Sequence, residues 1–148
     1  MMEFFYVLLA FVAGACAPTQ AGINSQLSGV VNGNMMAALI SFAVGTLSLV
    51  ACAAIARLHW PALSSLVSLP WWMWTGGCLG AFLVAATIFL VPKLGAATLM
   101  ASMVAGQMLA SVVFDHYGWM GYSVHPFDEW RLVGVFLLVA GVLIIRGC

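Results

Sequence analysis

Long uninterrupted apolar runs dominate the chain, and short polar clusters separate them. Five runs fall at about residues 4–23, 35–56, 71–91, 94–114 and 132–145. A bilayer core about 30 Å thick takes roughly 20 apolar helical residues to cross. The fifth run is short, but Arg131 and Arg146 at its ends can snorkel to the interface. The runs are continuous rather than alternating, which predicts helices and not the strands of a β-barrel. Helices also pair every backbone group within their own segment, as lipid demands. The expected fold is an all-α integral membrane protein, a single transmembrane domain over residues 1–148 with five transmembrane helices.

The punctuation fits these limits. Asn32, Gly33 and Asn34 form a turn before the second run. His59, Trp60 and Pro61 follow the second run, and Pro70, Trp71 and Trp72 open the third with indoles at headgroup level. Pro92 and Lys93 read as a hairpin between runs three and four. The longest connection, Asp115 to Trp130, holds three of the four acidic residues and is expected along the interface. The first run reads as a retained span, because Glu3 precedes it and no Lys or Arg does. A cleaved signal, or a lipoprotein signal at Cys16, is the competing reading.

Composition narrows the class. Hydrophobic residues make up 65% of the 148 and charged residues 5%, with zero formal net charge. So few charges cannot cover a soluble domain, and a nucleic-acid partner would need a basic face. Cys16, Cys52, Cys78 and Cys148 are scattered without ligand spacing and read as buried, reduced and inert packing residues. No metal or other cofactor is expected, and no nucleophile–base pair or phosphate loop suggests an enzyme.

The positive charges predict an unusual topology. With five spans, Arg57 and Arg131 fall on one side of the membrane, Lys93 and Arg146 on the other. The bias that normally sets orientation is absent. The expectation is dual topology, with opposed copies pairing about an axis in the membrane plane as an antiparallel homodimer. A weak but real bias, set by the N-terminal amine or by insertion kinetics, is the alternative.

Several ordered segments carry a family resemblance. They are Pro18-Thr19-Gln20-Ala21-Gly22-Ile23-Asn24-Ser25-Gln26-Leu27, Ala37 through Thr46, and Trp72 with Gly76-Gly77-Cys78-Leu79-Gly80-Ala81. Further on come Pro92 through Ala97, then Gly106-Gln107 and Asp115-His116-Tyr117-Gly118, and last Arg131-Leu132-Val133-Gly134 leading to Gly141. In this order the chain resembles the drug/metabolite transporter superfamily, and within it the small five-helix YdcZ-like family. The resemblance implies a bacterial inner-membrane location, transport of a small molecule, and dual-topology homodimers, paired heterodimers or fused proteins among its members.

Polar residues inside the spans are the candidate site, since lipid tolerates them only where they meet a partner or a cavity. Cys16, Gln20 and Asn24 share one face of the first span, next to Pro18, which can kink the helix. Asn24 stands nearer the span exit, where simple exposure is the favoured reading. Gln107, Ser111 and Asp115 share a face of the fourth span, extended by Met100 and Met103. Gln107 is the foremost candidate, being flanked by apolar residues on both sides. Interhelical hydrogen bonding is the competing role for both amides. Ser41 and Thr46 are weaker candidates, since a hydroxyl can bond the carbonyl one turn back. Trp72 either anchors at the interface or walls a pocket suited to a cationic or aromatic ligand.

Gly76 with Gly80, and Gly134 with Gly141, offer close helix contacts. No carboxylate lies mid-span. Glu3 and Asp115 sit at span ends, Asp115 is the candidate coupling acid, and Arg131 is expected to neutralise Asp128 and Glu129. The four-helix multidrug relatives, by the resemblance, carry an acid in the first helix where this chain offers Gln20. Facilitated diffusion, or ion coupling through amides and carbonyls, fits the sequence better than proton antiport of that kind.

The substrate-binding set is thus Gln20, Asn24, Ser41, Trp72, Met103, Gln107 and Ser111. It suits neutral or weakly cationic organic molecules, moved by alternating access. A channel-like pore and a non-transporting assembly subunit are the other readings.

Overall fold

The computed structural model describes residues 2–126 and 128–147, with the side chain of Glu3 also outside the description. Expectations placed on Glu3 and Cys148 therefore lie outside the described residues. Helix dominates: α1 spans Met2–Val30, α2 Asn34–Ile55, α3 Leu63–Val67, α4 Thr75–Leu94, α5 Ala96–Tyr117 and α6 Glu129–Gly147. Two 3-10 turns, Trp71–Trp74 and Trp119–Gly121, precede α4 and follow α5. Among the described residues, five helices are long and apolar enough to cross a membrane; α3 is the short exception.

The helix limits depart from the apolar runs in instructive ways. α1 continues past residue 23 to Val30, through Ser25, Gln26 and Ser28. These residues lower the hydropathy without breaking the helix, and the Ser28 hydroxyl donates back to the Ser25 carbonyl at 2.7 Å. α4 runs through Pro92 and Lys93 to Leu94, so the expected hairpin at those residues is not where the chain breaks. The break is at Gly95, whose φ of 75° suits a residue without a side chain. α6 begins at Glu129 and is 19 residues long, longer than the run 132–145.

α1 is helical through Pro18. A proline there has no N–H for the Gly14 carbonyl. Nearby polar side chains shield neighbouring carbonyls: Thr19 Oγ1 donates to Ala15 O at 3.2 Å, and Cys16 Sγ lies 3.5 Å from Val12 O. Ser48 and Thr87 do the same for Val44 and Val84, both at 2.8 Å. In lipid this is how a hydroxyl avoids standing unpaired.

The chain forms two compact units, one ending at Pro92 and the other beginning at Lys93. In the first, α1 packs on α2, and Ala37, Ala38 and Ile88 form a small buried core with Leu27, Val31, Val84 and Ala85 around it. Two alanines let α2 come close to its neighbours, as small residues do in membrane helices. Gly80 also lies close to α2: a Cβ there would sit 3.5 Å from the Phe42 ring. Gly76 and Gly77 have nothing within that reach in their unit, nor do Gly134 and Gly141 in theirs. Of the small-residue contacts the sequence suggests, only that of Gly80 is used within a unit.

In the second unit α5 and α6 pack as an antiparallel pair. The connection between them is pinned at Gly118, where φ is 64° and the N–H bonds back to the Phe114 carbonyl. His125 N donates to the Asp115 carbonyl at 2.8 Å. Phe114, Tyr117, Trp119 and Tyr122 gather around this turn, with Tyr117 and Trp119 stacked at 5.2 Å. Such a cluster is at home at the level of lipid headgroups.

Candidate functional site

Two grooves hold the polar residues of interest. The first lies between α1 and α2, encloses about 610 Å³, and is lined by Cys16, Thr19, Gln20, Asn24 and Ser41 among aliphatic side chains. Three of the residues expected at a binding site, Gln20, Asn24 and Ser41, therefore meet at one place. Gln20 and Ser41 also line an adjoining hollow of about 210 Å³ with Phe42, Gly45 and Thr46.

Asn24 differs from the expectation for a span exit. Because α1 runs on to Val30, Asn24 is well inside the helix, and it is 4% exposed. Its Nδ2 has no hydrogen-bond partner among the described residues. An orphan amide in an apolar setting carries a desolvation penalty of about 1–3 kcal/mol. Neither Gln20 nor the hydroxyls of Ser41 and Thr46 make a hydrogen bond among the described residues. Thr19, Ser48 and Thr87, by contrast, all satisfy their hydroxyls on their own helix. Gln20, Asn24, Ser41 and Thr46 are thus the residues of these two hollows left with bonding capacity among the described residues.

The second groove lies between α5 and α6 and encloses about 530 Å³. Its lining is Met108, Ser111, Val112 and Asp115 from α5, facing Arg131, Gly134, Val135 and Leu138 from α6. Both sets follow i, i+3, i+4, i+7, the signature of one helix face. At its end Arg131 Nη1 and Asp115 Oδ2 form an ion pair of 3.2 Å, with about a third of each side chain exposed. The expected pairing of Arg131 with Asp128 and Glu129 gives way to this one. The tight turn sets the last turn of α5 opposite the first turn of α6, so a residue 16 positions away is nearer than chain neighbours.

The remaining candidates are elsewhere. Gln107 is exposed on α5, and Met108 takes the place in the groove that the Gln107–Ser111–Asp115 alignment suggests for it. Met100 and Met103 are half-buried and not part of that lining. Trp72 is exposed in the Trp71–Trp74 turn and lines neither groove, a placement that suits an interfacial anchor. The Asp115–Arg131 pair had no signature in linear spacing; the reach of an antiparallel hairpin is what reveals it.

Large apolar side chains cover the outside of every long helix, from Phe4 and Phe11 on α1 to Phe136 and Ile144 on α6. That surface belongs in lipid or against another chain. Together these features define a multi-pass α-helical membrane protein. The family model described as "Putative inner membrane exporter, YdcZ" matches residues 5–144, and the chain belongs to this family. It is thus a multi-pass inner-membrane protein of a transporter family in the drug/metabolite transporter context, and that class is not an enzyme class. No curated protein and no solved structure matches the chain.

Proposed function

We propose that the chain is a small-molecule transporter that works as an antiparallel homodimer by alternating access, with the α1–α2 groove as its substrate site. The observation that carries this reading is the convergence of Gln20, Asn24 and Ser41, whose side chains make no hydrogen bond among the described residues, on one groove of about 610 Å³. That size is within the usual range for small-molecule sites. Membrane-embedded polar groups with unmet bonds mark substrate paths. The description of its family as inner membrane exporters supports outward movement of the substrate.

The balance of Arg57 and Arg131 against Lys93 and Arg146 supports the dimer: copies inserted both ways give two exchanged, equivalent states. The unused small faces at Gly76–Gly77 and Gly134–Gly141 offer close approach to the second copy. In this arrangement the exposed Gln107 amide meets the second copy or the cavity on the axis. Ser111 and Asp115 border the α5–α6 groove, where Asp115 is the chain's candidate coupling acid. The whole chain then acts as a single transmembrane domain.

The test is export from proteoliposomes. Purified protein is reconstituted, a mixture of uncharged and weakly cationic organic solutes is loaded, and the retained solutes are quantified by mass spectrometry. The expected result is saturable loss of a subset, reduced by up to about tenfold by Gln20→Leu while the dimer persists, because one lost hydrogen bond is worth up to about that factor. Export unchanged by Gln20→Leu and by Asn24→Leu would remove this groove from the path. Flux that never saturates would make the protein a pore.

A further inference from the structure

The α1–α2 groove has a chemistry specific enough to name the class of molecule it takes. This step rests on the reading of the groove as a substrate site. Asn24 is 4% exposed, and the structure leaves its Nδ2 unbonded. No other bond to its amide occurs among the described residues, so exchanging the nitrogen and oxygen positions would still leave a buried group unpaired. Gln20 brings a second amide one turn away, and Ser41 a hydroxyl from the facing helix.

What the groove lacks among its lining residues is equally informative. It holds no Lys, Arg, Asp, Glu or His, so neither an anion nor a cation finds a counter-charge there. It holds no aromatic ring, so a cation finds no π face either. Moving an isolated charge into such a site is far more costly than moving a neutral amide that can be hydrogen-bonded.

We propose that the groove selects uncharged, largely apolar molecules carrying a carboxamide-like group, a donor and an acceptor side by side, which Asn24 reads. The apolar body of the ligand lies along the aliphatic walls, and the amide end pairs with Asn24, with Gln20 and Ser41 within the same groove. The lack of a protein partner for the Asn24 amide is then the source of selectivity. A neutral amide relieves it. A hydrocarbon leaves it unpaired, and an ion brings a charge that the groove does not balance.

The experiment uses the full-length protein in nanodiscs and three probes of similar size: N-butylbenzamide, N-butylbenzylammonium and 4-butylbenzoate. Binding is measured by equilibrium dialysis against empty nanodiscs. The amide is expected to bind about tenfold or more tighter than either ion, the worth of one well-made buried hydrogen bond. Asn24→Leu is expected to remove that preference and, because it deletes an unpaired buried amide, to raise the thermal unfolding midpoint. Gln20→Leu, at an exposed position, is expected to weaken amide binding by a smaller factor without altering the midpoint.

Equal binding of amide and ions overturns the proposal. So does a lowered midpoint or loss of the dimer in Asn24→Leu, since Asn24 would then be bonded structurally to a second copy. Transport is scored separately. N-butylbenzamide that binds in an Asn24-dependent way but never crosses the membrane sustains the assignment of the groove and refutes the transporter reading.

Discussion

Gly118→Ala isolates how the α5–α6 hairpin is held. Two separate penalties follow from the geometry. The residue sits at φ 64°, in the left-handed region, where an L side chain costs roughly 1–2 kcal/mol. The new Cβ would also lie 2.7 Å from Val124 Cγ2 and 3.5 Å from the Tyr122 carbonyl oxygen. The second contact is ordinary, but the first forces Val124 to move. Val124 is exposed and β-branched, so it is free to turn but stiff, and an off-rotamer side chain costs about 0.5–1.5 kcal/mol. The sum is a loss of roughly 1.5–3.5 kcal/mol. The assay is reversible unfolding in mixed micelles, followed by the fluorescence of Trp119 and Trp130 in a background lacking the other tryptophans. The double variant Gly118→Ala/Val124→Ala should recover about 1 kcal/mol, the clash, and keep the backbone part. A neutral Gly118→Ala would refute the reasoning, as would full recovery in the double variant, which would leave no backbone penalty.

Three other perturbations follow from particular contacts. The Asp115–Arg131 pair places an acid in the last turn of α5 and a base in the first turn of α6, against both helix dipoles. The exchanged pair Asp115→Arg/Arg131→Asp should therefore be more stable than the native one by on the order of 1 kcal/mol at low salt, with the gain shrinking at high salt; a less stable swap would show that other contacts fix the order. Ala38→Leu forces extra methylenes into the core with Ala37 and Ile88 and should destabilise by about 1–3 kcal/mol in the same unfolding assay, whereas no loss would mean that the core has room. Gly80→Leu should also destabilise the chain through Phe42, while Gly76→Leu should leave the monomer unchanged and lower the dimer population measured by cross-linking; the reverse order would place Phe42 and the dimer interface wrongly.

The helices were legible because lipid leaves little choice: a long apolar run has to pair its own backbone. The limits were less so, for a physical reason. Hydropathy falls at Ser25 and Gln26, while helix formation depends on backbone pairing and local side-chain bonds, and α1 continues to Val30. That difference moves Asn24 from a presumed exit into a buried position. Gln20 and Ser41 were readable as polar residues out of place, yet they lie on different helices, and only packing brings them to one groove. Gln107 shows the limit of periodicity: the i+4 rule aligns it with Ser111, but the contact face on α5 follows Met108, set by where α6 lies. Arg131 chose Asp115 over nearer acids because the hairpin, and not sequence separation, sets distance.

If opposed copies of one chain form the transporter, each loop must lie on both sides of the membrane, and sidedness reads this directly. A single cysteine is placed at Ser123, in the exposed connection between α5 and α6, with Cys16, Cys52, Cys78 and Cys148 replaced. Native inner-membrane preparations are labelled with an impermeant maleimide before and after permeabilisation. About half of the copies should label from one side before permeabilisation, as a chain without positive-charge bias predicts. Labelling of all copies or of none would contradict the antiparallel homodimer.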